Sequence, residues 1–161
     1  MPSTRINRRA VLGGGAVLVA VAASAGGRAW VTRPAGAGTP DTLTPPEALD
    51  AVRAGALTLV DVRRPDEWAA TGIAEGAVPI DLRRDDFVQA VRAARDGPDA
   101  PVALICARGV RSRRMAARLA EAGIGPIVDV PEGMLGSRAG PGWLARGLPV
   151  TRPETRTEAP S

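Results

Sequence analysis

The chain of 161 residues contains no histidine, no lysine and no tyrosine, and it has one cysteine, Cys106. These absences exclude histidine-based acid–base catalysis and a lysine Schiff base. A single cysteine forms no internal disulfide, and with scattered carboxylates it makes no ligand set for a transition metal. We therefore expect no metal and no cofactor, and chemistry carried by thiol, carboxylate, hydroxyl, guanidinium or backbone groups.

The excess positive charge is confined to the N-terminal part of the chain. The formal net charge is +4, yet residues 1–40 carry five arginines and no acidic residue, whereas residues 41–150 carry 14 arginines and 15 acidic residues. A folded part with balanced charge lacks the basic face of a nucleic-acid-binding protein. We therefore expect no nucleic-acid partner.

Residues 1–25 have the parts of an export signal. Arg8 and Arg9 form a basic start, an uncharged run rich in glycine and alanine follows, and Ala23–Ala25 is a small-residue cleavage site. The paired arginines followed by Leu12 resemble a twin-arginine signal, which implies transport of the folded protein by export machinery to the periplasm or another extracytoplasmic location. The alternative is an uncleaved membrane anchor, which the glycines and alanines disfavour because they bury poorly in hydrocarbon.

Composition divides the remainder of the chain into three parts. Residues 26–40 are rich in proline, glycine and alanine, which predicts a linker. Residues 41–150 have the apolar patterning of one globular domain. Residues 151–161 are polar and are predicted to be a disordered tail.

The cysteine lies where a strand is predicted to lead into a helix. Val102–Ile105 is a short apolar run after a Gly- and Pro-containing breaker, which predicts a buried strand ending at Cys106. Ser112 then opens an amphipathic segment that stops at Gly123. The sequence therefore predicts a thiol beside the N-terminus of a helix.

The loop after Cys106 is suited to hold a negative charge. Gly109 permits the backbone to turn so that successive N–H groups point inward as an anion nest. Arg108 and Arg111 add full charges to the partial charge of the helix terminus. These conditions favour the thiolate, which is the nucleophilic form of cysteine. The alternative is a buried cysteine packed as a small apolar residue, with Arg108 solvated and Arg111 paired with an acid.

Strands and helices alternate through the predicted domain. The segment Thr44–Glu47 has the form of a helix cap, and the apolar spacing from Phe87 to Ala94 is helical. Further apolar runs predict strands at 57–62, 77–82 and 126–130. This alternation predicts an α/β domain with a parallel central sheet covered by helices on both faces. Ligands of such sheets bind beyond the carboxyl ends of strands, where Cys106 lies.

Residues 106–112, Cys-x-x-Gly-x-Arg-Ser, resemble the active-site loop of the rhodanese (sulfurtransferase) family. Other segments that match the family are Asp61-Val62-Arg63 with Glu67-Trp68, Gly76-Ala77 without the usual preceding histidine, and the closing segments 133–136, 142–144 and 147–149. The resemblance spans about residues 41–150. It implies a single rhodanese-like domain that moves sulfane sulfur from thiosulfate or a related donor to cyanide or a thiol, through a persulfide on Cys106.

The properties of the loop, together with this resemblance, predict which residues are catalytic, which bind substrate and which support the site. Cys106 is the predicted catalytic nucleophile, and it needs no external base if it is already ionised. The residues predicted to bind substrate are Ala107, Arg108, Gly109, Val110, Arg111 and Ser112. Asp61 and Arg63 are predicted to form a structural ion pair that supports the loop.

Two other functions use a similar loop. Thiolate phosphatases and arsenate reductases have the pattern Cys-x₅-Arg, which would place an arginine at position 112, where this chain has Ser112. A sulfane-sulfur carrier or partner-binding module without turnover would keep Cys106 but would not react rapidly with free small molecules. A sulfurtransferase is the function that we expect.

Overall fold

The computed structural model describes residues 41–152, so the predictions for residues 1–40 and 153–161 lie outside the described residues. Between residues 41 and 152, no helix has the length and apolar character needed to cross a membrane. The helices are α1 Pro45–Arg53, α2 Pro65–Thr71, α3 Phe87–Ala94, α4 Val110–Glu121 and α5 Gly142–Ala145. The strands are β1 Thr58–Asp61, β2 Ile73–Ala74, β3 Val78–Pro79, β4 Val102–Ile105, β5 Ile127–Asp129 and β6 Val150–Thr151.

Four parallel strands form the central sheet in the order β3-β1-β4-β5. The interior strands β1 and β4 are buried along their whole length, as expected for the middle of a sheet covered on both faces. Their register pairs Asp61 with Ile105, so the two carboxyl ends reach the same edge of the sheet. The predicted α/β class and parallel sheet are confirmed.

Side chains alternate between two apolar layers on the two faces of this sheet. Leu59 and Ile105 pack in the layer that contains α1 and α5, whereas Leu104 and Cys106 pack in the layer that contains α3 and α4. The cysteine therefore lies on the face of the sheet that α4 covers. The fully buried Trp143 of α5 belongs to the opposite layer.

The start of α1 confirms the predicted cap. The Glu47 carboxylate accepts hydrogen bonds from the Thr44 backbone N–H at 2.8 Å and from the Thr44 hydroxyl at 2.6 Å. These bonds satisfy groups that have no partner within the helix, which fixes where α1 begins.

Several predicted boundaries are wrong by small amounts. Helix α4 begins at Val110, two residues before Ser112, because the turn at Gly109 lets the helix start directly after it. Strand β3 contains two residues at the edge of the sheet, where Pro79 fits because no strand lies on the outer side to need its N–H. The folded part continues beyond Val150 to Thr151, since β6 pairs with β2 in a separate antiparallel ribbon.

A buried ion pair closes the carboxyl end of β1. Arg63 is 1% exposed and Asp61 is fully buried, and two guanidinium nitrogens of Arg63 approach the carboxylate at 2.7–3.0 Å. The same guanidinium donates to the Thr71 hydroxyl at 2.7 Å and to the Gly72 carbonyl oxygen at 2.6 Å. Arg63 therefore links the C-terminal end of α2 to the carboxyl end of β1 through hydrogen bonds and an ion pair.

Replacing Arg63 by methionine is expected to lower the free energy of unfolding by about 3–5 kcal/mol, because the Asp61 charge would stay buried without a partner. Urea denaturation measures this loss. The matched control is Arg53→Met, whose exposed pair with Glu75 is expected to contribute about 1 kcal/mol or less. The double variant Asp61→Asn/Arg63→Met should regain part of the loss, and equal effects at Arg63 and Arg53 would contradict the structural role.

Candidate active site

Cys106 lies directly after β4, and its side chain is enclosed by the loop that follows. The residue is 1% exposed. The Gly109 backbone N–H donates to Cys106 Sγ at 3.1 Å, and Sγ lies 3.6 Å from the Ser112 Oγ atom, to which the thiol donates. The Ser112 hydroxyl is fully buried and donates to the Gly109 carbonyl oxygen at 3.1 Å. The sulfur is thus surrounded by polar groups of its own loop.

Glycines at two positions allow the loop to close around the sulfur. Gly109 has a φ of +78°, and a Cβ atom there would collide with the Pro131 carbonyl oxygen. Gly133 has a φ of +68°, and a Cβ atom there would lie 2.6 Å from the Ala107 carbonyl oxygen. The Met134 N–H donates to the Cys106 carbonyl oxygen at 2.8 Å, which joins the segment after β5 to the loop. The loop is therefore held in place by backbone contacts.

Arg111 makes its ion pair with Glu67 of α2. Its two terminal nitrogens approach the two Glu67 carboxylate oxygens at 2.7 and 2.6 Å, which is a bidentate arrangement. The hydrogen bond from Arg111 lowers the pKa of Glu67 to about 2, so the pair stays charged at neutral pH. Glu67 raises the pKa of Arg111, and the nearby Cys106 contributes in the same direction. Arg111 is thus positioned by Glu67 within electrostatic range of the sulfur.

The other predicted loop residues face different surroundings. Arg108 is exposed, and its Nη1 atom donates to the Gly136 carbonyl oxygen at 3.3 Å. Ala107 is 8% exposed, and Val110 is 76% exposed at the first position of α4. Gly109 and Ser112 contact the sulfur, whereas Arg108 and Val110 are exposed on the outer side of the loop and Ala107 is buried.

Asp129 places a carboxyl group under the first turn of α4. The residue ends β5 and is 8% exposed, and its buried Oδ1 atom has no hydrogen-bond partner within residues 41–152. Burial raises the pKa of Asp129, while the Ser112 hydroxyl and the charge of Arg113 oppose that effect. Within the same residues, no group of three or more histidine, cysteine, aspartate or glutamate side chains could hold a metal ion.

Sequence reasoning missed three residues that shape this site. Glu67 was part of a matching segment, but its pairing with Arg111 joins positions that are 44 residues apart. Asp129 lies within the run 126–130 that predicts a buried strand, and nothing in that pattern indicates a carboxyl group near Ser112. Gly133 belonged to a closing segment, and the available signal was the glycine itself, since glycine is the residue that readily adopts the left-handed backbone found there.

The comparisons with known proteins agree with the fold and with the position of the loop. The rhodanese-like domain family matches residues 44–137, which include the cysteine loop and the segments on either side of it. The chain belongs to the rhodanese-like domain family.

Three relatives illustrate how far the likeness extends. A sulfurtransferase of Allochromatium vinosum is 30% identical over 96 residues, which are 60% of this chain and 79% of that protein. The crystal structure of Rv0390 from M. tuberculosis is 29% identical, with a TM-score of 0.57, and the match covers 72% of this chain and all of that one. The polysulfide-sulfur transferase homodimer of Wolinella succinogenes is 25% identical, with a TM-score of 0.54 and coverage of 74% and 83%.

Replacing Asp129 by asparagine is expected to stabilise the protein at neutral pH. Burial raises the pKa of Asp129 in the folded state, so protonation of this carboxyl group stabilises the fold. This contribution to stability is complete below the unfolded-state pKa of 3.8 and is lost as the pH rises through the folded-state pKa. Asparagine carries no charge at any pH, so the thermal midpoint should rise by a few degrees at pH 7.5, the scale of roughly 1 kcal/mol in a domain of this size.

The gain should shrink as the pH is lowered through the folded-state pKa of Asp129, because the wild-type carboxyl group then becomes protonated as well. The matched control is Asp99→Asn, which changes an exposed carboxyl group and should leave the midpoint unchanged. A lower midpoint for Asp129→Asn at pH 7.5 would mean that the carboxylate makes a stabilising contact there.

Proposed function

We propose that the protein is a sulfurtransferase that carries sulfane sulfur as a persulfide on Cys106, with thiosulfate or a related donor and with cyanide or a thiol as acceptor. The observation that carries this proposal is the buried Cys106 sulfur with the Gly109 N–H at 3.1 Å and the Ser112 Oγ atom at 3.6 Å. The Allochromatium protein is named a sulfurtransferase and the Wolinella protein a polysulfide-sulfur transferase, which supports the same class of reaction.

The first half of the proposed reaction loads the cysteine. The Cys106 thiolate attacks the outer sulfur of thiosulfate and forms a new S–S bond. The S–S bond within thiosulfate breaks, and its electron pair leaves with sulfite. Charge is conserved, because a thiolate and a dianion become a persulfide anion and a sulfite dianion.

The second half of the proposed reaction unloads the cysteine. The carbon of cyanide, or the sulfur of an acceptor thiolate, attacks the outer persulfide sulfur and bonds to it. The bond from that sulfur to Cys106 Sγ breaks, and the electron pair returns to Sγ as the thiolate. Thiocyanate or a new persulfide leaves, and the enzyme is regenerated in a double-displacement cycle.

The groups around Cys106 suit an anion on sulfur. When the thiol loses its proton it no longer donates to Ser112, and the Ser112 hydroxyl can donate to sulfur in place of its bond to the Gly109 carbonyl oxygen. The Gly109 N–H already points at Sγ, and the N-terminus of α4 adds its partial positive charge. Arg111 contributes at longer range from its position against Glu67. The Gly109 N–H and the helix terminus are already in place, so they stabilise the charge without reorganisation during the reaction.

The same arrangement disfavours the phosphatase alternative. Position 112 is occupied by a buried serine, and the neighbouring Arg111 is engaged in two bonds to Glu67. A phosphatase loop needs a guanidinium that clamps two phosphate oxygens. A loop with one sulfur-directed N–H and a small hydroxyl is better suited to a single sulfur atom.

We propose further that the reaction takes place outside the cytoplasm. The support is the sequence of residues 1–25 alone, with its paired arginines Arg8 and Arg9 and its small-residue cleavage site. An uncleaved leader would leave the domain at the outer surface of the membrane.

Treatment with thiosulfate is expected to increase the intact mass of the reduced wild-type protein by one sulfur atom. The reason is that Cys106 provides the only thiol in the chain. Cyanide should return the mass to its starting value and release thiocyanate. The Cys106→Ser variant should show neither change, and its thermal midpoint should show that it is folded.

A wild-type protein that gains no sulfur from thiosulfate, but gains one from a persulfide-carrying protein, would indicate the carrier function instead. A protein that gains sulfur from neither source would contradict the proposed reaction.

The double variant Arg8→Lys/Arg9→Lys is expected to remain in the cytoplasm, because a twin-arginine signal requires the guanidinium pair. Cell fractionation followed by immunoblotting measures the location. The matched control is Arg28→Lys, which lies beyond the predicted cleavage site and should be exported like the wild type. Export of the double variant would contradict the proposed signal, and recovery of wild type in washed membranes would identify an anchor.

A further inference from the structure

A cavity of about 520 Å³ lies beside the cysteine loop. One wall is formed by Arg108 and Gly109 of the cysteine loop with Val110 at the start of α4, and the opposite wall is the turn at residues 137–139. The volume is typical of a site for a small molecule and far exceeds what one sulfur atom occupies. No step of the reaction described above uses this cavity.

Three arginines line the cavity and no carboxylate does. They are Arg108, Arg113 and Arg138, and within residues 41–152 none of them forms an ion pair with an acidic side chain. The arginines that do have acidic partners lie elsewhere, at positions 53, 63, 64, 83, 84, 111 and 146. The charge of Arg113 opposes the rise in the pKa of the buried Asp129, yet its guanidinium makes no bond to that carboxyl group. The cavity therefore brings three guanidinium groups without an acidic partner around one space that no carboxylate lines.

The walls of the cavity are fixed by local hydrogen bonds. Arg108 Nη1 donates to the Gly136 carbonyl oxygen at 3.3 Å, which ties the guanidinium across to the opposite wall. The Ser137 hydroxyl donates to the Pro131 carbonyl oxygen at 2.8 Å and accepts from the Ala139 N–H at 3.0 Å. Arg138 is thus presented by a turn that is bonded on both sides, which lowers the entropic cost of binding an anion.

The cavity and the sulfur share one residue. Gly109 lines the cavity, and its N–H is 3.1 Å from Cys106 Sγ. Val110, which also lines it, is 76% exposed and offers an apolar surface next to Gly109. A molecule seated in the cavity is therefore next to the reacting loop.

We propose that this cavity binds the carboxylate groups of the acceptor, and that the acceptor is an acidic low-molecular-weight thiol with at least two carboxylates. This inference rests on the proposed sulfur transfer and names the class of acceptor. The arginines hold the carboxylates, and the thiol end of the molecule extends along Val110 to the loop. Its thiolate attacks the outer persulfide sulfur, one S–S bond forms, and the bond to Cys106 Sγ breaks with its electron pair returning to Sγ.

The distribution of charge favours such an acceptor over thiosulfate as the occupant. Thiosulfate is compact, and the donors around Cys106 already suit its reacting sulfur. Three guanidinium groups spread over a 520 Å³ cavity match a larger molecule with separated negative groups. A half-open cavity of this size also suits a small molecule better than the broad surface of a partner protein.

The first test compares two thiol acceptors in steady-state kinetics, mercaptosuccinate with two carboxylates and 2-mercaptoethanol with none. The wild type should have a KM for mercaptosuccinate roughly tenfold below that for 2-mercaptoethanol, the scale of one charge-assisted contact. In the variants Arg138→Gln and Arg113→Gln this ratio should fall toward one. The matched control is Arg114→Gln, which removes the same charge from the neighbouring position of α4 outside the cavity and should keep the wild-type ratio.

A second test does not depend on turnover. S-Methyl mercaptosuccinate has both carboxylates but no free thiol, and calorimetry can measure its binding to the Cys106→Ser protein. Binding that is weakened by adding Arg138→Gln, and unchanged by adding Arg114→Gln, is the expected result.

The two tests separate this inference from the proposed function. If thiosulfate fails to load Cys106 but the dicarboxylate still binds through Arg138, the cavity is an acidic-ligand site and the reaction is different. If sulfur transfer occurs with equal KM for both thiols and no dicarboxylate binding, the acceptor class is wrong. If Arg138→Gln and Arg114→Gln weakened dicarboxylate binding equally, the proposed acceptor class would also be overturned, since the net charge of the protein alone would then attract the ligand.

Discussion

Asp61 and Arg63 bury two opposite charges at the end of β1, and each is stable there because the other is present. Arg63 also bonds to the Thr71 side chain and to the Gly72 backbone, so the last turn of α2 is set by this pair. Helix α2 in turn presents Glu67, which holds Arg111 by both carboxylate oxygens. The buried Asp61–Arg63 pair thus determines, through α2 and Glu67, where Arg111 lies beside the cysteine loop.

The groups that surround the sulfur are mostly backbone groups, whereas the charged groups of the site are side chains that lie farther out. Backbone groups and one hydroxyl surround the sulfur, and they depend on the turn at Gly109 and on the start of α4. Guanidinium groups stand farther out, one against Glu67 and three around the adjoining cavity. The inner groups suit any anionic sulfur, while the outer ones distinguish one partner molecule from another by its charge.

The local part of this site could be predicted from the sequence. A buried strand, a cysteine, a glycine and a helix follow one another within about twenty residues, so their geometry depends on short-range rules of turn and helix formation. The parallel sheet followed from the alternation of apolar runs, which also depends on neighbours in the chain.

The parts that join distant positions could not be predicted. The pair of Arg111 with Glu67 requires α2 to be docked beside α4, and no periodicity of either segment specifies that. The ribbon of β2 with β6 joins two-residue strands, which are too short to carry an alternating pattern. The buried carboxyl group of Asp129 lies under Ser112 because β5 and α4 are packed together, and its own segment reads as an ordinary apolar strand.

The close contacts of Gly109 with Pro131 and of Gly133 with Ala107 involve only main-chain atoms of the partner residues. The dimensions of the sulfur loop are consequently insensitive to which side chains occupy the neighbouring positions. During divergence, residues such as Arg108, Val110 and Arg138 are free to change without moving the reactive atom. A lineage of such domains can therefore exchange one physiological substrate for another while the geometry of the sulfur chemistry is inherited intact.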